Sequence, residues 1–323
     1  MTTLASTDVR PAYRPHRATV TRVERLSPHF ARIEFGGDDL AHFGTAGLDQ
    51  RIKVLFPFAD GSMCDVGQHE DDPQAHRDWY DRWRGLAEHE RNPFRTYTVR
   101  RIDPDARRLT VDFVVHHDAG PAGSWAEAAR VGDQLVVVGP DQRSPLSRVG
   151  IDFKPANSSR LLIVGDETAV PAVGSILESL PADRAADVFL EVPSLADTAV
   201  IRPPANADLR WIVREQDGGR PDREHGEGLI EAVTAWAAES RDILERAAAP
   251  RPQVLADVDV DREILWDSPE EDAACDGEFY AWIAGEAATI KQLRRLLVSG
   301  HGVDRRRVAF MGYWRRGIAE RTG

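Results

Sequence analysis

The chain has 323 residues, 42% of them hydrophobic and 29% charged, with a formal net charge of −12 at pH 7. That length divides into two domains at about 100–200 residues each, and so acidic a chain repels nucleic-acid phosphates, which sets general DNA or RNA binding aside. Its two cysteines, Cys64 and Cys275, exclude a disulfide framework, a four-cysteine zinc site and an iron–sulfur cluster held by four thiolates of this chain. Redox chemistry would therefore need an organic cofactor or a different metal. No window reaches the roughly 20 apolar residues of a membrane span. Residues 1–15 lack the apolar core of a signal peptide, so the cytoplasm is the expected location.

Taken in chain order, the first half reads as β-structure. Short runs rich in β-branched or alternating residues occur at 18–23, 30–35, 52–56, 97–102, 109–115 and 134–138. Clusters such as Gly36-Gly37-Asp38-Asp39 and Asp103-Pro104-Asp105 separate them, a pattern that predicts a closed barrel or sandwich. A polar insertion at about 59–92 carries Trp79, Tyr80 and Trp83 at helical spacing, which predicts a short helix capping the barrel. The Pro/Asn/Ser stretch 154–159 reads as a linker. Beyond it, apolar runs at 161–164, 188–192, 209–213, 279–283 and 308–311 alternate with helical segments at about 170–180, 228–248 and 287–299. Apolar strands between helices predict a parallel sheet covered on both faces, with ligands at the carboxyl ends of its strands. The acidic stretch 249–275 reads as a surface excursion.

Five segments carry candidate chemistry. In Arg95-Thr96-Tyr97-Thr98-Val99-Arg100, a strand puts Arg95 and Tyr97 on one face and Thr96 and Thr98 on the other. A cation, a flat ring and a hydroxyl suit a fused aromatic ring joined to a phosphate. Asp112-Phe113-Val114-Val115-His116-His117 is followed by Gly120-Pro121-Ala122-Gly123-Ser124-Trp125, small residues entering a helix whose exposed amides suit an anion. The adjacent histidines lack a third ligand, so packing is expected of them and no metal site. Gly165-Asp166-Glu167-Thr168 ends a strand, with Thr168 the expected N-cap and Pro171 in the first helical turn; a single glycine is not the Gly-rich dinucleotide fingerprint. Trp282-Ile283-Ala284-Gly285-Glu286 is again strand then helix, and Lys291, Arg294 and Arg295 form a basic ridge along that helix. Gly312-Tyr313-Trp314-Arg315-Arg316-Gly317 places two aromatics before two arginines, either to cap a flavin or to anchor the tail.

The joint order of these motifs, RTYTVR, DFVVHH with GPAGSWA, GDETAVPAV, YAWIAGEAATIKQLRR and GYWRRG, resembles the siderophore-interacting protein family over about residues 17–316. The resemblance implies a two-domain β plus α/β architecture of the ferredoxin–NADP reductase type. A six-stranded antiparallel FAD-binding β-barrel would occupy residues 1–154. A parallel-sheet α/β nicotinamide-binding domain, ending in the GYWRRG tail, would occupy 155–323. It further implies that Tyr97 stacks on the isoalloxazine, Arg95 pairs with the FAD phosphates, Thr98 bonds the flavin ring and Thr96 belongs to the same motif. Asp112, Val114 and His116 would lie on the strand along the FAD, and Gly120, Pro121 and Ala122 would wrap the pyrophosphate, with Trp125 following. The chain departs from the family pattern at Gly123-Ser124, where a small residue then Arg is common, and at His117, where Gly is usual. Gly165, Asp166, Glu167 and Thr168, with Ala284, Gly285 and Glu286, match the nicotinamide side, and Tyr313 and Trp314 the closing aromatics. Lys53, Arg143 and the Lys291/Arg294/Arg295 ridge are candidates for a basic pocket that receives an anionic ferric siderophore.

The implied activity is reduction of siderophore-bound Fe(III) by NAD(P)H through FAD. The alternatives are a siderophore-binding or iron-handling protein without turnover, and a general flavin reductase with another acceptor. Glu191 and Asp197 offer acids for the ribose diol of NADH, whereas Arg202 or Arg214 would suit the 2′-phosphate of NADPH. The sequence leaves that choice, the siderophore and the oligomeric state open.

Overall fold

A computed structural model describes residues 10–115, 120–216, 222–255, 257–260, 262–269 and 277–317. The chain divides between Ile151 and Asp152 into two compact units, each with its own apolar core.

The first unit contains strands β1 (Tyr13–Ser27), β2 (Phe30–Gly36) and β3 (Arg51–Leu55), then helices α1 (Pro73–Arg77) and α2 (Trp79–Gly85). Strands β4 (Phe94–Thr98), β5 (Arg101–Asp103) and β6 (Arg108–Val114), helix α3 (Pro121–Ala128) and strand β7 (Gln134–Pro140) complete it. The strands form one antiparallel sheet in the order β4-β3-β7-β1-β2-β6-β5. β4 and β5 are its opposite edges, yet only Val99 and Arg100 separate them in the chain. Val99 N–H donates to Gln50 O at 2.9 Å and Arg100 N–H to Thr110 O at 3.0 Å, so successive residues bond to opposite edges and the sheet curls towards a barrel. This crossing divides the run 97–102, expected as one strand, into two. Val99 enters the core, while the Arg100 side chain reaches Asp112 on β6 at 3.4 Å.

Strand alternation sorts the apolar residues into two clusters. Leu135 and Val137 of β7 join the interior with Ile33, Phe35, Val111 and Phe113. Val136 and Val138 face the other way, onto Trp83, Phe94 and Leu55. The insertion forms two short helices in place of the one expected to cap the barrel, and it packs on the sheet face turned away from the interior cluster: α2 lays Trp83 against Phe94 with ring centroids 4.9 Å apart, and Trp79 and Tyr80 flank it. The buried Trp83 indole donates to Asn92 O at 2.9 Å, which satisfies its polar atom.

The second unit holds β8 (Arg160–Gly165), α4 (Val170–Glu178), β9 (Ala185–Val192), β10 (Ala207–Val213), α5 (Glu227–Glu239) and α6 (Arg241–Arg246). It continues with β11 (Trp266–Asp267), β12 (Phe279–Glu286), α7 (Ala287–Arg294) and β13 (Val308–Trp314). The sheet order is β10-β9-β8-β12-β13-β11. Pairings from β10 to β13 are parallel, and only the two-residue edge strand β11 is antiparallel. β12 is buried at every residue, as a strand covered on both faces must be. Leu229, Val233 and Trp236 of α5 and Ile290 and Leu293 of α7 share one core with Leu162, Val164, Ala281 and Ile283. The helix expected over 228–248 is two helices, broken at Ser240.

Candidate functional site

The chain leaves β8 towards β9 and β10 on one side, then returns to β12 and β13 on the other. The switch in direction opens a crevice at the carboxyl ends of β8 and β12, where open α/β sheets hold ligands. Gly165 and Ala284 face each other there in register. A Cβ on Gly165 would lie 2.4 Å from the Ala169 Cβ, and one on Gly285, whose φ is 150°, would lie 2.6 Å from the Asp166 carboxylate. These glycines are thus required for close packing at the crevice floor.

Asp166 ties the strand ends together. Its Oδ1 accepts from Thr168 N–H at 2.9 Å and the Thr168 hydroxyl at 2.5 Å. Its Oδ2 accepts from Glu286 N–H at 2.8 Å and the Trp314 indole at 2.8 Å. Thr168 therefore does not cap α4, as the sequence suggested. The N-cap is Ala169, whose methyl offers no acceptor, and the Thr168 hydroxyl donates to Asp166 instead. Glu286 caps α7 instead, its Oε2 accepting from Ala288 N–H at 2.8 Å and Thr289 N–H at 3.0 Å.

Behind this loop lies a buried charge cluster. Arg214, just after β10, spans both Glu167 oxygens at 2.8 Å and reaches Glu191 Oε1 at 3.1 Å. Gly226 N–H also donates to Glu191 Oε1, at 2.9 Å. His225 points Nε2 at Asp166 Oδ2 and Glu167 Oε2, both 3.5 Å away, and at Glu191 Oε1, 3.8 Å away. Burial and the neighbouring Glu167 push Asp166 up to about 6, against the opposing pull of His225 and its donors. Burial would also raise Glu167, but His225 and Arg214 outweigh it and hold that carboxyl well below the usual range. Burial disfavours charge on His225, yet Glu167, Asp166 and Glu191 together raise its pKa. Asp166, Glu167 and His225 offer ligand atoms within 4.8 Å of one another. A metal would have to displace the two N–H donors on Asp166 Oδ2 and the guanidinium on Glu167, so this donor set fits a proton better than a metal cation.

Sequence reasoning named Glu191 and Arg214 as rivals for a ribose diol and a 2′-phosphate. The structure binds them to each other, because both lie at strand ends that the parallel sheet brings together. Asp197 is likewise engaged, accepting from the Ser194 N–H and hydroxyl at 3.0 Å each. His225 carried no motif, and only its place before Gly226 and the start of α5 would have drawn the eye. Tyr313 packs within this unit, stacked on Trp266 at 5.7 Å and edge-on to Trp282 at 6.2 Å.

The basic ridge is not an open patch. Arg294 is buried, and its Nε and Nη2 donate to Asp267 on β11 at 3.1 and 2.7 Å. Lys291 reaches Asp257 and Val258 O at 2.7 Å each. Leu255, Val258 and Val260 pack against the core and hold this strap over α7. The excursion read as surface thus covers two of the three cations, and Arg295 alone is exposed.

In the first unit, Tyr97 is half-buried, its ring 4.5 Å from that of Phe113 and 6.2 Å from Phe56. Arg95 on the same strand face donates to Phe94 O at 2.7 Å and makes no ion pair among the described residues. The Lys53 ammonium bonds the Thr96 hydroxyl and sits 5.4 Å over the Phe94 ring. Thr98 is buried. Asp112 is engaged by Arg32, at 2.7 and 2.8 Å, and by Arg100 at 3.4 Å, so its carboxylate ties β6 to β2 and to the residue that precedes β5. Val114 ends β6 half-buried, and His116 lies outside the described residues. Helix α3 starts at Gly120 with Pro121 as its first residue, and its first bond runs from Ser124 N–H to Gly120 O at 3.1 Å. The Ala122 and Gly123 amides thus have no helical acceptor. Trp125 turns inward onto Phe56, at 5.3 Å, and Phe35, at 6.3 Å. Arg143 chelates Asp141 at 2.9 and 2.7 Å, with Arg14 and Arg10 at 3.9 and 3.8 Å from the same carboxylate. A guanidinium without an ion pair among the described residues, a half-buried tyrosine and helix-start amides without a helical acceptor are groups that suit a flat ring joined to phosphates.

An antiparallel curled sheet followed by a parallel α/β sheet with a charged crevice at its switch point defines the two-domain flavin reductase fold. The ferredoxin reductase of carbazole 1,9a-dioxygenase shares it at a TM-score of 0.57 and 14% identity, over 94% of this chain and 71% of that one. Residues 19–144 match the siderophore-interacting FAD-binding domain and residues 158–317 the siderophore-interacting protein family. This chain belongs to that family. It is 28% identical to the ferric vibriobactin reductase ViuB of Vibrio cholerae, over 98% of this chain and 94% of that one. It is 30% identical to an uncharacterised protein of Mycobacterium tuberculosis, over 94% and 92%. A solved siderophore utilization protein from T. fusca superposes with a TM-score of 0.66 at 27% identity, covering 96% of each chain.

Proposed function

We propose that this protein is a flavin-dependent ferric-siderophore reductase, drawing electrons from NAD(P)H and releasing iron as Fe(II). The observation that carries the reading is the pairing, in one chain, of a family FAD-binding domain with a ligand crevice of the α/β type. Bound FAD supplies the redox chemistry, taking up a hydride and giving up electrons singly. The chain's own residues bind and orient. Arg95 is suited to the cofactor phosphates, Tyr97 to its ring and the Ala122 and Gly123 amides to its pyrophosphate. The 165–168 loop, held by Trp314 and Glu286 through Asp166, is suited to the nicotinamide. Because Arg214 is committed to Glu167 and Glu191, a 2′-phosphate would have to find another cation, such as the exposed Arg202. For the anionic siderophore, Lys53 and the Arg10/Arg14/Arg143 group, whose three positive charges outnumber the single negative charge of Asp141, are better candidates than the covered α7 ridge.

The test is an anaerobic absorbance experiment. The purified protein should be yellow, bleach with NADH or NADPH and regain its colour with a ferric siderophore while Fe(II) appears. A protein that binds the siderophore but never bleaches is not a reductase. One that bleaches but recovers only with other acceptors is a general flavin reductase.

A further inference from the structure

His225 belongs to no motif, and the reading above leaves it unused. It reaches the crevice from a segment 59 residues beyond Asp166 in the chain, and its side chain is only 10% exposed. Among the described residues neither ring nitrogen has a conventional hydrogen-bond partner. The ring stands edge-on to Trp314 at 5.0 Å and 86°, and its Nε2 faces carboxylate oxygens from three residues. One oxygen of Glu191, Oε2, is itself buried without a hydrogen-bond partner among the described residues.

The charge count explains this placement. Asp166 and Glu167 on the β8 loop and Glu191 on β9 face one permanent cation, Arg214 after β10. Without a proton on His225 the buried group would carry a formal charge of −2, which a low-dielectric interior strongly disfavours. Two further charged groups among the described residues nearby are already engaged. Glu286 caps α7, and the exposed Glu224 pairs with Arg316 at 2.8 Å. Asp166 is also the acceptor on which Thr168, Glu286 and Trp314 converge, so charge at this point bears directly on the loop's shape.

We propose that His225 is a positioning residue for the nicotinamide half-reaction: as an imidazolium it holds Asp166, Glu167 and Glu191 together beneath the 165–168 loop, and when it loses its proton the loop binds the nicotinamide cofactor less tightly. The inference rests on reading that loop as the nicotinamide site. The sign is definite. Binding is strongest with His225 protonated and weakens as pH rises through its ionisation, because the freed negative charge also opposes the anionic dinucleotide. By linkage, cofactor binding draws the proton more tightly onto His225.

The experiment uses the flavin-loaded enzyme. Anaerobic stopped-flow reduction by NAD(P)H is followed between about pH 6 and about pH 10, beyond the ordinary histidine range. The expected result is a rise of about tenfold in the cofactor dissociation constant through the His225 ionisation, distinct from that of Asp166 at about 6, with the limiting reduction rate changing less. His225→Gln should show the weak binding at all pH values, and His225→Lys should retain tight binding. Nuclear magnetic resonance of the parent provides a readout independent of turnover and of variant folding: the His225 imidazole should titrate above the ordinary histidine value and shift upward when NADP+ is added. A parent dissociation constant flat over this range, an unmoved His225 titration, or an unchanged pH profile in His225→Gln overturns the proposal. Thr168→Trp separates the two levels. If it leaves flavin reduction normal, the nicotinamide reading falls and this proposal with it. If it blocks reduction while the His225 results are flat, only the proposal falls.

Discussion

Asp166 shows how a single carboxylate acquires both a structural and a titrating role. Burial favours its neutral form, so the folded chain binds that proton more tightly than the unfolded chain does. The resulting stabilisation is fully present below the ordinary aspartate range and is lost as pH rises through about 6. Parent and Asp166→Asn proteins compared by urea unfolding at about pH 5 and about pH 7 should therefore diverge, the parent losing stability relative to the variant at the higher pH. A pH-independent difference would show that Asp166 does not titrate there. Arg95 offers the second test at this scale. Its guanidinium has no carboxylate partner among the described residues, and a charge-assisted contact to phosphate is worth about 1.5–3 kcal/mol. Arg95→Ala should lower FAD affinity by about tenfold or more. Full flavin retention after extensive dialysis would remove Arg95 from the cofactor site.

At the scale of elements, the strap that ends in β11 decides what α7 can do. Seen along the sequence, Lys291, Arg294 and Arg295 are neighbours on a helix surface and look available to an anion. In the fold, Asp267 meets Arg294 and Asp257 meets Lys291, so the ridge belongs to internal packing. Asp267→Ala removes the carboxylate from a buried guanidinium and should destabilise the second unit by roughly 2 kcal/mol, somewhat less than for a fully enclosed pair. Lys291→Ala, whose partner is exposed, should change stability little and leave affinity for a ferric siderophore close to the parent's. Urea unfolding and siderophore titration of the two variants check both statements, and a large loss of siderophore affinity in Lys291→Ala would restore the ridge as a substrate surface.

At the scale of the molecule, the net charge of −12 repels an anionic siderophore during approach. Added salt screens that repulsion over about 8–10 Å, so the second-order rate of flavin reoxidation by a ferric tris-catecholate should rise with ionic strength at low siderophore concentration. Lys53→Met should lower the affinity without reversing that trend, because it removes a local contact and leaves the long-range field in place. A rate that falls steeply with salt would mean that a strong basic surface steers the substrate. No helix among the described residues is long and apolar enough to cross a membrane.

The sequence by itself determined which segments are strands, where rhythm changes from barrel to alternating sheet, and which loops end the ligand-bearing strands. Those properties are written in local periodicity and in turn residues. It also determined Tyr97, Arg95 and the 165–168 loop as candidates, because their chemistry is visible at short range. Only the tertiary structure decided that Arg214 joins Glu167 and Glu191, that Trp314 bonds Asp166, that Trp125 packs on Phe56 and Phe35, that Asp112 pairs with Arg32 and Arg100, and that His225 completes the buried cluster. In each case the partners are far apart in the chain and meet because a parallel sheet gathers the carboxyl ends of its strands or a curled sheet brings its own strands face to face. The same holds for the strap over α7. A basic helix face reads the same in sequence whether water, a substrate or a distant aspartate covers it, and the fold alone specifies which.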